Sequence, residues 1–183
     1  MDELGAQLRE HALLEGDFLL RSGKRSSYYL DKYRFETLPE LLGPIGERLA
    51  AAVREYEPEA VRLAGPALGA VALAAAASLS SGLPFVIVRD AAKEYGTANR
   101  LEGPFEEGEL VCLLEDVVTS GGALAEAVEA LREAGLVVRN AVCVVDREEG
   151  GADALARLGV RLRSLYRAGE LVPAAKTAAN PHG

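Results

Sequence analysis

From residue 60 onward the chain repeats one arrangement: a short apolar run, a turn, then a segment of helical length. The runs Ala60–Ala64, Phe85–Val88, Leu110–Leu114, Val137–Val145 and Arg161–Leu165 are predicted strands. Between them, Ala70–Ser80, Gly122–Ala134 and Ala152–Leu158 are predicted helices. Most of the strand runs are apolar throughout rather than alternating, which is the pattern of a strand covered on both faces. Strands of that kind interleaved with helices leave few solutions, and the simplest is a mainly parallel sheet with helices on each side. The fold class is α/β.

Residues before position 60 do not follow this alternation. Leu4, Leu8, His11 and Ala12 lie at helical spacing, so a first helix is predicted over residues 2–15, ended by Gly16. Phe18-Leu19-Leu20 and Ser26-Ser27-Tyr28-Tyr29-Leu30 flank a turn at Ser22-Gly23-Lys24 and read as a β-hairpin. A long amphipathic helix is predicted from Pro39 to about Tyr56, carried by Leu41, Leu42, Ile45, Leu49 and Val53. The organisation is therefore an N-terminal helix, hairpin hood and connecting helix over 1–59, an α/β core over 60–173, and a small polar tail over 174–183.

With a net charge of −8, the chain offers no broad basic surface for nucleic acid or acidic lipid, so an anionic ligand must be held by local cations and backbone N–H groups. The two cysteines, Cys112 and Cys143, each sit inside an apolar strand, which fits a reducing interior rather than a disulfide scaffold. His11 and His182 are far apart, and no His/Cys metal site is expected. Met1-Asp-Glu-Leu-Gly5 lacks the basic start and apolar core of a signal peptide, and Leu68–Leu79 is too short to span a bilayer. A cytoplasmic protein is expected, with no membrane and no nucleic-acid partner.

The chemistry concentrates in Leu110-Val-Cys-Leu-Leu-Glu115-Asp116-Val117-Val118-Thr119-Ser120-Gly121-Gly122-Ala123. An apolar strand ends in two carboxylates, and a loop of hydroxyls and glycines then opens a helix. A helix start carries unpaired N–H groups and partial positive charge, and small residues let a phosphate come close to them. The carboxylates would repel that phosphate, so they face hydroxyls that need acceptors, or a metal-bound water. The plainer alternative is a capped strand–helix junction with a solvated acidic pair. Neither GxxxxGK[ST] nor GxGxxG is present.

This segment resembles the phosphoribosyl pyrophosphate (PRPP) motif of the type I phosphoribosyltransferases: apolar residues, two acidic residues, two apolar residues, then Thr-x-Gly-Gly. The resemblance implies that family's fold, a mainly parallel sheet flanked by helices with a small N-terminal hood containing a β-hairpin. It implies that Glu115 and Asp116 contact the ribose hydroxyls, that Asp116 serves catalysis, and that Val117, Val118, Thr119, Ser120, Gly121, Gly122 and Ala123 line the PRPP site. The loop Thr119–Ala123 would hold the 5-phosphate.

Three further segments resemble those of the orotate phosphoribosyltransferases, a branch of that family. Phe18-x-Leu20-x-Ser22-Gly23-x-x-Ser26-x-Tyr28-x-x-Asp31 is similar to their hood signature. It implies Tyr29 near the orotate ring and Arg21, where Lys is usual, near PRPP or the base; an ordinary amphipathic hairpin is the alternative. Arg89-Asp90-Ala91-Ala92-Lys93-Glu94-Tyr95-Gly96 is similar to their mobile catalytic loop, R-K-x-x-K-x-[HY]-G. Arg89, Lys93 and Tyr95 carry over as PRPP residues, with Arg89 and Lys93 also catalytic. Asp90 departs from the usual Lys, leaving Arg100 as a candidate replacement charge; a salt-bridged surface loop is the alternative. Asp146-Arg147-Glu148-Glu149-Gly150-Gly151 resembles the D-R-x-x-G-G motif, which implies that Arg147 contacts orotate; a cap for the next helix is the alternative, and the family resemblance places Thr119 at the base as well. A planar guanidinium suits the carboxylate that distinguishes orotate from other bases. Gly65-Pro66-Ala67-Leu68-Gly69-Ala70 resembles the pyrophosphate loop, but Leu68-Gly69 stands where many members have Tyr-Lys, so only backbone groups are assigned there.

The resemblance therefore implies transfer of ribose 5-phosphate from PRPP to orotate, with Mg²⁺ as cofactor, bound through PRPP and reached by Glu115 and Asp116 through water. It also implies a homodimer in which the 89–103 loop acts across subunits. Competing readings are a purine or uracil phosphoribosyltransferase, or a PRPP-sensing regulatory protein without turnover.

Overall fold

The computed structural model describes residues 1–19, 25–89 and 100–172. The chain opens with helix α1 (Glu3–Ala12), whose N-terminus is capped by Asp2 accepting from the Gly5 N–H at 2.9 Å. The helix stops at Ala12, and Leu13 already begins strand β1 (Leu13–Leu19), so the predicted extension to residue 15 is corrected. Gly16 is not the helix stop; with Asp17 it interrupts the strand register between Glu15 and Phe18. Leu13 is free to leave the helix because it pairs with Leu30 of β2 (Arg25–Leu30), in a separate antiparallel hairpin. A cross-strand partner has overridden local helical spacing. The turn at Ser22-Gly23-Lys24 and the tail beyond Val172 lie outside the described residues.

A short helix α2 (Lys32–Thr37) follows, which the sequence pattern did not predict, and then α3 (Pro39–Tyr56). Leu41, Ile45, Leu49 and Val53 of α3 are all buried, as the four-residue spacing demands. The main sheet contains β3 (Arg62–Pro66), β4 (Phe85–Val88), β5 (Leu101–Glu102), β6 (Leu110–Val118), β7 (Val137–Asp146) and β8 (Arg161–Arg167). Their order is β5-β4-β3-β6-β7-β8, parallel throughout except for the short edge strand β5, which pairs antiparallel to β4. The helices between strands are α4 (Gly69–Ser81), α5 (Gly122–Glu133) and α6 (Gly151–Arg157), and α7 (Ala168–Leu171) ends the described chain.

Four strands run past their predicted ends. Strand β7 does so by one residue, to Asp146, and β8 by two, to Arg167. Strand β3, which also starts two residues late at Arg62, runs on through Gly65 and Pro66, and β6 runs four residues past Leu114, to Val118. The latter two extensions have a neighbour to pair with: Pro66 lies beside Val88, and Val117 and Val118 beside Val145 and Asp146. Polar residues thus continue a strand whose ladder is already established.

The sheet divides the interior into two cores. Leu63, Cys112, Leu114, Val142 and Val144 pack with α1, α3 and α4 and with Phe35 of α2. Ala64, Val111, Leu113, Ala141 and Cys143 pack with α5, α6 and β4. Positions 111–114 of β6 go to opposite sides in turn because successive strand side chains alternate, and by Val117 and Val118 the two sides have exchanged. Helices α1, α2 and α3, and the hairpin through Leu30, thus share the first core. Where α3 crosses α4 the backbones are close: a Cβ at Gly46 would lie 2.6 Å from that of Ala76. Among the described residues, no helix is long and apolar enough to cross a membrane.

Candidate active site

Winding proceeds outward from β3 to β4, then returns across β3 to β6 and continues the other way. Such a reversal opens a crevice beyond the carboxyl ends of the two central strands. A cavity of about 710 Å³ lies there, lined by Pro66–Gly69 after β3, by Glu115, Asp116 and Val117 of β6, and by Lys32, Arg89 and Arg100. A hollow of about 380 Å³ shares Glu115, Val117, Gly122 and Ala123 with it and continues along Val118–Gly121.

Both carboxylates line the cavity at the end of β6. Asp116 lies against Lys32 of α2 and the Gly69 start of α4, while Glu115 also borders the hollow along Val118–Leu124. Asp116 is 3% exposed; its Oδ2 accepts from Lys32 Nζ at 2.6 Å, and its Oδ1 accepts from the Val117 N–H. Glu115 Oε1 accepts from the Asp116 N–H at 3.0 Å. Glu36 of α2 reaches the same spot, 4% exposed, with Oε1 lacking a hydrogen-bond partner among the described residues. Burial pushes the Glu36 carboxyl up to about 8, and the neighbouring Asp116 adds to the rise. Burial raises Glu115 in the same direction, again reinforced by Asp116. Burial is the largest influence on Lys32 and works against its charge, but the bond to Asp116 and the charges of Asp116, Glu36 and Glu115 together shift it upward. Three carboxylates thus crowd one ammonium.

Thr119 and Ser120 are exposed at the end of β6, and Gly121 starts α5 with φ 80°. A side chain at 121 would be strained by that angle and would meet Gly151 at 3.0 Å, so a glycine is required for the turn to form. The sequence-predicted phosphate loop is therefore open at the start of a helix, as anion binding needs.

Arg147 follows β7, its N–H donating to the Val118 carbonyl at 2.9 Å, which ties it to the end of β6. Its guanidinium lies 5.4 Å from the Tyr28 ring centroid and 3.0 Å from Glu149 Oε1, while its Nε is buried without a hydrogen-bond partner among the described residues. The hairpin therefore brings Tyr28 onto this arginine. Tyr29 projects from the opposite face of β2, 41% exposed, with its ring 5.7 Å from that of Phe18. Arg89 ends β4, its Nη1 3.5 Å from Glu102 Oε1, and its N–H donates to the Arg100 carbonyl at 2.8 Å. That bond brings together, at the cavity rim, the described residues on either side of 90–99. Arg21, Asp90, Lys93 and Tyr95 lie outside the described residues.

Sequence reasoning missed Lys32 and Glu36. Their signal was present, an i,i+4 Lys–Glu pair directly after the hood, but such a pair ordinarily reads as a solvated helix face. Only the packing of α2 against α3 and α4 turns it inward.

Residues 35–157 match the family model described as "Phosphoribosyl transferase domain". The chain is 51% identical to the orotate phosphoribosyltransferase of Methanocella arvoryzae, over 86% of this chain and 88% of that protein. The crystal structure of orotate phosphoribosyltransferase from Aeropyrum pernix superposes with a TM-score of 0.82 at 34% identity, covering 92% of this chain and 95% of that one. That of the Mycobacterium tuberculosis H37Rv enzyme in complex with PRPP superposes with a TM-score of 0.77 at 27% identity, covering 92% and 96%. This chain belongs to the orotate phosphoribosyltransferase family.

Proposed function

We propose that the chain transfers ribose 5-phosphate from PRPP to orotate, releasing orotidine 5′-monophosphate and pyrophosphate in pyrimidine biosynthesis. One observation carries this reading: a phosphate-sized helix start, a buried acidic pair and an under-bonded arginine follow one another around the end of β6. The likeness to a relative solved with PRPP supports it. The Thr119–Ala123 loop takes the 5-phosphate, and Glu115 and Asp116 accept from the ribose hydroxyls. Arg147, with a buried nitrogen still lacking an acceptor, takes the orotate carboxylate. Thr119 completes the base pocket and Tyr28, already over Arg147, supplies the hood's aromatic ring; Tyr29 joins it only by leaving Phe18.

Displacing pyrophosphate by a ring nitrogen needs no covalent protein nucleophile. Positive charge develops on the ribose and negative charge on the leaving group, so the protein orients, stabilises charge and excludes water. Lys93 and Arg89 stabilise the departing pyrophosphate, with Lys93 the candidate general acid. Arg21 and Tyr95 add contacts to PRPP. Among the described residues, no cluster of three or more His, Cys, Asp or Glu side chains could hold a metal by itself. Glu115 and Asp116, both lining the cavity at the end of β6, would hold Mg²⁺ through water. The ion would neutralise diphosphate charge. The working unit is a homodimer whose 89–103 loop serves the neighbouring site, and the buried free thiols of Cys112 and Cys143 support a reducing, cytoplasmic setting.

Following orotate absorbance after adding PRPP and Mg²⁺ tests the activity. Loss of orotate supports it; no loss, or equal use of uracil or a purine base, overturns it. Mixing Lys93→Ala with Arg147→Ala subunits tests the dimer. Hybrids regain activity through the one site lacking both lesions; no recovery means that the loop serves its own subunit.

A further inference from the structure

The crevice holds a cation that none of its sequence motifs accounts for. Lys32 is the first residue of α2, yet its Nζ lies 2.6 Å from Asp116 Oδ2 and lines the cavity together with the Pro66–Gly69 turn. It reaches that point because residue 69 has no side chain: a Cβ at Gly69 would stand 2.6 Å from Nζ and collide with Asp116 Oδ2. The ammonium therefore stands over the start of α4, where the turn after β3 meets the cavity. An ammonium carries three donors, and Asp116 accepts one of them. The side chain is 33% exposed, against 4% for its carboxylate partner, so the charge faces the cavity rather than being sealed beneath it. The turn supplies no cation of its own, since Leu68 is apolar and 73% exposed.

We propose that Lys32 is a diphosphate-binding residue: with PRPP in place, its ammonium spans Asp116 and a phosphate oxygen of the leaving group above the Pro66–Gly69 turn. This rests on the reading of the crevice as a PRPP site. Lys32 donates hydrogen bonds only. The ribose–oxygen bond breaks with its electron pair going to pyrophosphate, and a cation already fixed on a buried carboxylate meets that growing charge without reorganising. One ammonium would thus hold the group that departs while staying paired with Asp116.

Lys32→Met separates these roles when two ligands are compared at constant free Mg²⁺. Pyrophosphate, as an inhibitor competing with PRPP, reports the diphosphate subsite. Orotidine 5′-monophosphate, which has the ribose and 5-phosphate but no diphosphate, reports Asp116 and the phosphate loop. The expected result is a pyrophosphate inhibition constant raised about tenfold or more, the weight of one charge-assisted hydrogen bond, with nucleotide affinity within about twofold of wild type. An unchanged pyrophosphate constant, or equal weakening of both ligands, overturns the proposal; the second pattern makes Lys32 a support for Asp116 alone. Retained nucleotide binding doubles as the folding control. Should Lys32→Met not fold, Lys32→Arg keeps the ion pair and carries the same comparison, with a several-fold change for pyrophosphate alone expected and a change shared by both ligands overturning it. Wild-type protein that binds neither ligand would instead sink the PRPP reading itself.

Discussion

The two ends of the main sheet bury charge to similar depth but treat it differently. At the amino end, Arg62 is 7% exposed and meets Glu109 through bonds of 2.6 and 2.9 Å, leaving one nitrogen over, while Glu57 accepts from Asn140 Nδ2 at 2.7 Å. At the carboxyl end, Glu36, Glu115 and Asp116 share Lys32, and Arg147 keeps an orphan Nε. Charge matched by geometry serves the fold. Charge in surplus lowers stability unless something arrives to complete it, and it marks the end where a ligand belongs. The contrast locates function without reference to any relative.

The largest effect should come at the carboxyl end. Lys93→Ala is expected to reduce turnover a hundred- to a thousandfold, about 2.7–4 kcal/mol of barrier, with the melting temperature unchanged. Steady-state rates near wild type would break the assignment of that end to catalysis. At the amino end, Arg62→Ala should do the reverse. It is expected to cost about 3 kcal/mol of stability in urea unfolding, the low end for a broken buried pair because Glu109 keeps some solvent contact, while KM values stay put. A kinetic defect at constant stability would erase the distinction.

Smaller and more diagnostic is Glu36→Gln. Because the folded carboxyl titrates at about 8 against an ordinary 4.5, folding favours its protonated form. Its contribution is therefore complete below pH 4.5 and is lost progressively as pH rises through 8. The substitution should leave stability unchanged near pH 4 and raise it by roughly 2 kcal/mol near pH 9 in ligand-free protein. Equal stability of the two proteins at every pH would show that the surplus charge is relieved in some other way. Smallest is Asp2→Ala, outside both clusters, where Asp2 caps α1 and bonds Tyr166 and Arg48. The Gly5 N–H, followed by Tyr166, holds its carboxyl down at about 2 from an ordinary 3.8. Its contribution is present above pH 4 and fades as pH falls through 2. A loss of about 1 kcal/mol with normal activity is expected by thermal melting at pH 7.

The parallel sheet, the helix Pro39–Tyr56 and the strand Phe85–Val88 were legible because burial leaves a periodic trace in each segment by itself. So was the loop Thr119–Ala123, whose chemistry depends on backbone and small residues in one contiguous run. Leu13–Leu19 misled at its start, since helical spacing continued there while a hairpin partner 17 residues away, Leu30, had the stronger claim. Tyr28 and Tyr29 are adjacent in sequence, and only the register of β2 decides which one meets Arg147.

Sequence alone therefore determined the strand–helix alternation and the position of the glycine turn that opens α5, because each is set by interactions among near neighbours in the chain. Tertiary structure alone decided that Lys32 and Glu36 join Asp116, 84 and 80 residues away, and that Gly69 makes room for them. A charge reveals its surplus only against what surrounds it, and those surroundings exist only once distant segments have packed.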